Sequence, residues 1–353
     1  MYLDCHVHCR DEKWAYKETI AHALDVARDS LVDGIFDMPN VPEPIISRDR
    51  VLERLGIAEK CNSPVAYYTY VGVTANPDQI KEAVKCYDDF FPINREKEGV
   101  IGLKMFAGKS VGDLSVVKPD EQRLVYKTLS KLDYRGVLAV HCEKESDMKP
   151  ELWNPEDAFS HCLARPLIAE ENSIKDQIGY FYEENYKGHL HILHITSSRG
   201  VEIVDRAKKE GRRISCGVTP HHLLLSEEVM RSENGILYKV NPPLRAESTR
   251  AGLFLDFRDG KIDILESDHA PHTLDEKLDK ENPMSGIVNL ASWLDFVELL
   301  KARGVSQQTI DNTAFNKINK IFRIHLQKTQ RPVKKRIYEY VFDPYIQLTG
   351  KIK

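Results

Sequence analysis

Eight short apolar runs recur along the chain, at 2–7, 34–38, 65–73, 99–104, 136–141, 189–194, 213–218 and 262–267. Between most of them lie longer stretches, at 16–29, 51–61, 77–88, 119–132, 165–184 and 199–209, whose apolar residues fall at the helical period. Strand then helix, repeated about eight times, is the pattern of a parallel sheet, and eight repeats predict closure into a (β/α)8 barrel of the TIM type. An open doubly wound sheet is the competing architecture. It calls for a glycine-rich phosphate turn after the first strand, and no Gly-x-Gly-x-x-Gly occurs. Helical stretches at 291–303 and 307–322 complete the outer ring.

The barrel is expected to occupy residues 1–324. From His325 the composition turns basic and polar, with a run at 328–336, then 338–341 and a strand-like piece at 345–348. Residues 325–353 are read as a C-terminal extension packed on the barrel. The chain has 353 residues and a formal net charge of −4, which argues against nucleic acid or a membrane surface as partner. Seven cysteines, an odd number without tight repeated spacing, are expected as free thiols in a reducing cytosol. The N-terminus enters strand-like sequence at once, and no apolar run approaches ~20 residues. Neither export nor membrane insertion is therefore expected, and a cytoplasmic location is.

Chemistry concentrates at the strand ends. His6 and His8 are two apart in an extended segment, so both imidazoles point to one face, and Arg10 follows at once. Three further apolar runs end in a candidate ligand: His141, His194 and Asp268. Barrel enzymes assemble their sites from residues in this position. Four imidazoles and a carboxylate match the preference of zinc and exceed what one tetrahedral ion needs, so a metal pair is the economical inference. Such a pair makes a nucleophile of water near neutral pH. Lys104, ending the fourth run, does not fit as an ammonium beside two cations. Either it binds a substrate anion, or it reacts with CO2 to a carbamate that bridges the metals, or it merely extends from the strand end to solvent. Cys5 alternates to the face opposite His6, which favours packing over ligation.

These residues sit in a longer set of motifs. They are Asp4-Cys-His-Val-His-Cys-Arg10, Asp37-Met-Pro-Asn40, Gly102-Leu-Lys-Met-Phe106 and Val140-His-Cys-Glu143. Ala164-Arg-Pro166 with Glu170, Leu193-His-Ile-Thr-Ser197 and Val218-Thr-Pro-His-His-Leu223 come next. Val240-Asn-Pro-Pro-Leu-Arg245 and Ser267-Asp-His-Ala-Pro-His272 end the set. In this order they resemble the cyclic amidohydrolases, and among them the dihydroorotase family, from about Tyr2 to Phe322. The resemblance implies a binuclear zinc site held by His6, His8, Lys104, His141, His194 and Asp268, with Lys104 carboxylated and a hydroxide bridging the two ions. It implies Asp268 as general base, Arg10, Asn40 and His272 as a clamp for a substrate carboxylate, and Asn241 as a hydrogen-bonding partner of the ring. The implied reaction interconverts dihydroorotate and N-carbamoyl-L-aspartate in pyrimidine synthesis. A small-molecule substrate is the expected partner, and homo-oligomerisation is left open.

Two other readings compete. One is a different cyclic amidase, an allantoinase or a hydantoinase; the combination of Arg10 with Asn40 weighs against it. The other is an inactive barrel serving as scaffold for a partner enzyme, disfavoured because all six ligand positions hold competent residues. The chain also departs from the resemblance. Asp11-Glu-Lys-Trp14 stands where the family usually has Glu-Pro-Gly, and Asn316-Lys-Ile318 where it has Asn-Pro-Ala. The family's small β-sandwich is expected to be absent or vestigial. His161, His189, His191, His221, His222 and His269 are read as hydrogen-bonding rather than ligating, and Glu143 as orienting His141.

Overall fold

The computed structural model describes residues 1–92, 97–109, 114–332, 338, 340, 342–345 and 348. Eight strands, β1 (Tyr2–Val7), β2 (Val32–Asp37), β3 (Ala66–Gly72), β4 (Glu98–Phe106), β5 (Val137–His141), β6 (His189–Ile192), β7 (Ile214–Val218) and β8 (Ile264–Leu265), form one sheet in sequential order. Every neighbouring pair is parallel. A parallel bridge from Val7 to His269 brings the end of the last strand to the end of the first. The architecture is therefore a (β/α)8 barrel.

Local chemistry starts and stops the helices. Thr19, Ser47 and Ser197 each accept a backbone N–H three residues on, and Asn76 one two residues on. These bonds satisfy groups that the first helical turn leaves open. Proline opens Pro77–Phe90 and Pro119–Lys131, where its missing N–H costs nothing. One helix escapes the periodicity analysis: Glu247–Arg258, which carries the chain from β7 towards β8. The expected strand at 262–267 shrinks to two residues. Glu266 N still donates to Val218 O at 3.1 Å, but at Ser267 the backbone turns to a side chain, donating to Asp4 Oδ1 at 3.0 Å.

Two apolar layers result. The outer one, between strands and helices, includes Val7, Ile35, Val71, Leu103, Val140 and Trp293. The inner one, within the barrel, includes Leu3, Phe36, Tyr70, Ile101 and Ala139, and is floored by Phe315, Ile318 and Phe322. Cys5 shares this inner layer with Leu3, two residues before it, while Val7 lies in the outer one, across the register irregularity between Asp4 and Val7. The simple alternation expected from sequence would have turned it away from the barrel.

After Phe322 the chain runs along the outside. Thr329 Oγ1 donates to Asp33 Oδ1 at 2.6 Å, and Tyr345 is fully buried. Residues 333–337, 339, 341, 346–347 and 349–353 lie outside the described residues, and with them part of the basic run and of the strand-like piece. No helix among the described residues is long and apolar enough to cross a membrane.

Phe322 packs edge-on against Phe36 with ring centres 5.0 Å apart, and against Tyr70 at 6.2 Å. Phe322→Ala is expected to cost about 3–5 kcal/mol, the usual range for a large buried ring, read as a lower urea midpoint. A loss below about 1 kcal/mol would mean that the floor collapses to fill the gap.

Candidate metal centre

His6 and His8 leave β1 and are buried. Each Nε2 lies 3.2 Å from Asp268 Oδ1, and the three ligand atoms fall within 4.8 Å of one another. Both Nδ1 atoms are buried without a hydrogen-bond partner. Burial, then the charge of Lys104, holds His6 well below its ordinary value; burial, then Arg10, does the same to His8. Neutral imidazole is the form that binds a metal. Burial raises Asp268 to about 7, opposed by Lys104.

Backbone shape serves this convergence. Arg10, His194 and Asp268 have φ of 50°, 38° and 49°, a left-handed conformation that costs a side-chain-bearing residue about 1–2 kcal/mol. Such strain persists only where surrounding bonds over-determine it. Here they do: His194 N donates to Glu266 Oε1 at 2.6 Å, and His8 N donates to His269 O at 2.8 Å.

His141 and His194 form the facing half. His141 Nδ1 lies 3.0 Å from His194 Nε2, while His141 Nε2 lies 2.9 Å from Glu143 Oε2. Burial disfavours ionised Glu143, but Arg165 and His141 outweigh it and hold the carboxyl below its ordinary value. The carboxylate therefore accepts a hydrogen bond from His141 Nε2–H, leaving Nδ1 as a lone pair aimed at His194. His194 Nδ1 has no partner. Two ring nitrogens facing each other over 3.0 Å, with one ring's far nitrogen orphaned, is an arrangement that a shared cation satisfies. Lys104 Nζ is likewise buried without a partner, 4.4 Å from the Phe106 ring centre. Burial lowers it to about 7, against the opposing charge of Asp268.

All six expected ligands line one cavity, together with Arg10, Asn40, Asn241, Phe106 and Ser285. Gly286 completes the wall because a Cβ there would stand 2.5 Å from Ala270 O. Arg10 is buried; its Nη2 lies 3.1 Å from His272 Nε2, its Nε donates to Pro271 O, and its Nη1 has no partner. His272 thus stands behind the guanidinium rather than on the cavity wall. The altered loop after Arg10 brings the Trp14 ring to 5.5 Å from the Arg10 guanidinium. Beneath, Arg54 donates to Arg10 O at 2.8 Å and pairs with Asp37, whose other oxygen accepts from Cys9 N at 2.9 Å. Sequence reasoning did not give His161 a role at the site. Its Nε2 lies 3.0 Å from both Val240 O and Asn241 Oδ1 and so orients that amide.

A second buried group that could hold a metal, Cys5, His191 and Glu266, lies within the barrel. Its members already satisfy one another: Cys5 Sγ donates to Glu266 Oε2 at 3.4 Å, and His191 Nε2 lies 3.3 Å from the same oxygen. We read it as support for His194. His222 binds Thr219 Oγ1 at 2.7 Å and Pro242 O at 3.0 Å, and His221 Nδ1 lies 3.1 Å from Asn289 Nδ2.

Burial, ahead of every other cause, lowers His189, His222 and His272 to about 3. A histidine lowered on folding binds its proton more readily in the unfolded chain. The stability it contributes is therefore complete above about 6.5 and lost as pH falls towards 3. Each such histidine adds up to about 1.4 kcal/mol per pH unit in that window. The metal-free protein should have a lower urea midpoint at pH 5 than at pH 7.5, and His189→Gln should flatten the difference. An unchanged midpoint would show that these rings are protonated in the fold.

No protein-family model matches the chain. Curated relatives named dihydroorotase do. That of Fusobacterium nucleatum is 28% identical over 284 residues, 78% of this chain and 61% of its own length. That of Listeria welshimeri is 30% identical over 293 residues, 82% and 64%; that of Thermococcus kodakarensis is 31% identical over 291 residues, 82% and 59%. The chain thus spans about three fifths of the length of these relatives. Among solved structures, the L-hydantoinase (dihydropyrimidinase) of Arthrobacter aurescens superposes with a TM-score of 0.78 at 22% identity, over 91% of this chain and 70% of that one. The dihydroorotase of Saccharomyces cerevisiae, in complex with 5-fluoroorotic acid, gives 0.72 at 17% identity, over 92% and 85%. The chain is a homologue of proteins named dihydroorotase, built on the barrel fold of the hydantoinase and dihydroorotase amidohydrolases.

Proposed function

We propose that this protein is a cytoplasmic, zinc-dependent dihydroorotase that interconverts dihydroorotate and N-carbamoyl-L-aspartate. The observation that carries the reading is the single cavity into which six candidate ligands and a buried guanidinium with an unpaired Nη1 converge. The donors suit zinc: the imidazoles are neutral, and the orphaned Nδ1 atoms and amine lack any protein partner. His6, His8, Lys104, His141, His194 and Asp268 would hold two ions. Bound there, zinc supplies Lewis acidity, which lowers the pKa of a water and polarises an amide carbonyl.

The chain's own groups do the rest. An amine as readily neutral as that of Lys104 would add to CO2 and release a proton to water, giving a carbamate, an anionic oxygen donor suited to holding metal. Asp268, raised towards neutrality by burial, takes the proton of the attacking water and passes it to the leaving ring nitrogen. Arg10, held in place by His272 and Pro271, offers its guanidinium to the substrate carboxylate. Asn40 lies alongside, and Asn241, oriented by His161, faces the ring.

Elemental analysis of active protein should find close to two zinc ions per chain, and chelation should abolish turnover; one ion or fewer would refute the pair. Lys104→Ala should be inactive and partly rescued by acetate or propionate, which can stand in for the carbamate. Failure of every short carboxylate to restore activity would count against the bridging role.

The carboxylate clamp identifies the ring. A charge-assisted bond to Arg10 is worth about 1.5–3 kcal/mol, some ten- to hundredfold in binding. Dihydroorotate should therefore be opened far faster than dihydrouracil or hydantoin, and Arg10→Ala should impair only the first. Equal rates on charged and neutral rings would leave a hydantoinase as the better description.

A further inference from the structure

Three tyrosines of the C-terminal segment place hydroxyls in polar networks of the barrel, that of Tyr345 buried and those of Tyr338 and Tyr340 nearer the surface. Two of those networks end on the residues flanking Asp268. Tyr345 OH donates to Asn289 Oδ1 at 2.5 Å, and Asn289 Nδ2 donates to Ser267 O at 2.6 Å. Tyr340 OH donates to Glu18 Oε1 at 2.7 Å, and Glu18 Oε2 lies 2.6 Å from His269 Nε2. His269 Nδ1 accepts the N–H groups of Asn289 and Leu290, each at 3.2 Å. Its proton must therefore sit on Nε2 and point at Glu18. Glu18 is buried, and His269 together with the bonds from His22 and Tyr340 overcomes the cost of burial to hold it at about 2.

Asp268 stands between these two anchored neighbours in a left-handed conformation, φ 49°. Aspartate tolerates that shape better than most residues but still at a cost in free energy, and the anchored Ser267 and His269 on either side hold it there. We propose that the C-terminal segment is a positioning element of the metal centre, in which Tyr340 and Tyr345, through Glu18 and Asn289, hold the strand-eight end so that Asp268 meets His6 and His8. The inference rests on the metal-centre reading above. It adds to it a contribution from a segment none of whose described residues lines the cavity. Tyr338 supplies the internal control. Its hydroxyl bonds Asp29 Oδ2 at 2.6 Å and Asp25 O at 3.2 Å on the first helix, away from Asp268.

The test is zinc affinity of the full chain, measured by competition with a chromophoric chelator, which needs no substrate. Tyr340→Phe and Tyr345→Phe keep the rings and delete one hydroxyl each; the double variant should bind zinc about tenfold more weakly, the lower end of what losing outer partners does to metal sites. Tyr338→Phe should bind as the parent does. Should the double variant fail to fold, the single variants should each show a smaller loss of the same sign. Parent-like zinc affinity in folded Tyr340→Phe and Tyr345→Phe proteins, or an equal loss in Tyr338→Phe, would reduce the segment to a general stabiliser and overturn the proposal. A parent that binds no zinc would instead remove the metal-centre reading on which it stands.

Discussion

The seam between the first strand and the last carries the site. Ser267 N reaches Asp4 Oδ1, His8 N reaches His269 O, and Val7 bridges to His269. Each bond joins residues some 260 positions apart, and each lies within two residues of His6, His8 or Asp268. The barrel is thus sealed at the point where a cation would sit. One side-chain bond and isolated backbone bonds stand in for the regular ladder there, and β8 is only two residues long. Regular pairing would have carried Asp268 on in an extended conformation and away from the two imidazoles.

Below the seam the interior changes character. Leu3, Ile101, Phe36 and Phe322 fill the lower barrel with apolar volume, whereas Glu266 and Lys104 occupy the upper part without solvent. A buried carboxylate is costly unless it is hydrogen-bonded. Glu266 meets that condition with a thiol, an imidazole and the His194 N–H. Lys104 does not, since its amine finds no acceptor. The contrast separates a polar group that stabilises the scaffold from one poised for a ligand.

Much of this was legible in the sequence because the signals were local. The alternation around His6 and His8, and the apolar runs ending in His141 and His194, place candidate ligands at strand ends without any tertiary knowledge. What escaped was of two kinds. Helix Glu247–Arg258 buries only Leu253, Phe254, Asp256 and Phe257, too few apolar positions for a clear period. The links from Tyr340 to Glu18, from Tyr345 to Asn289 and from His161 to Asn241 join residues far apart in the chain, and no spacing rule connects them. Cys5 was misplaced for a third reason: strand alternation assumes regular register, and β1 shifts within the ligand motif itself.

The seam also has a consequence in time. His6 and His8 leave the ribosome first, and Asp268 follows about 260 positions later. At about 5–20 residues per second, the imidazole pair waits on the order of 10–50 s before its carboxylate partner is made. Through that interval the two imidazoles stand without the carboxylate that meets them in the fold. The convergence at the seam therefore comes into being only once strand eight has docked against strand one.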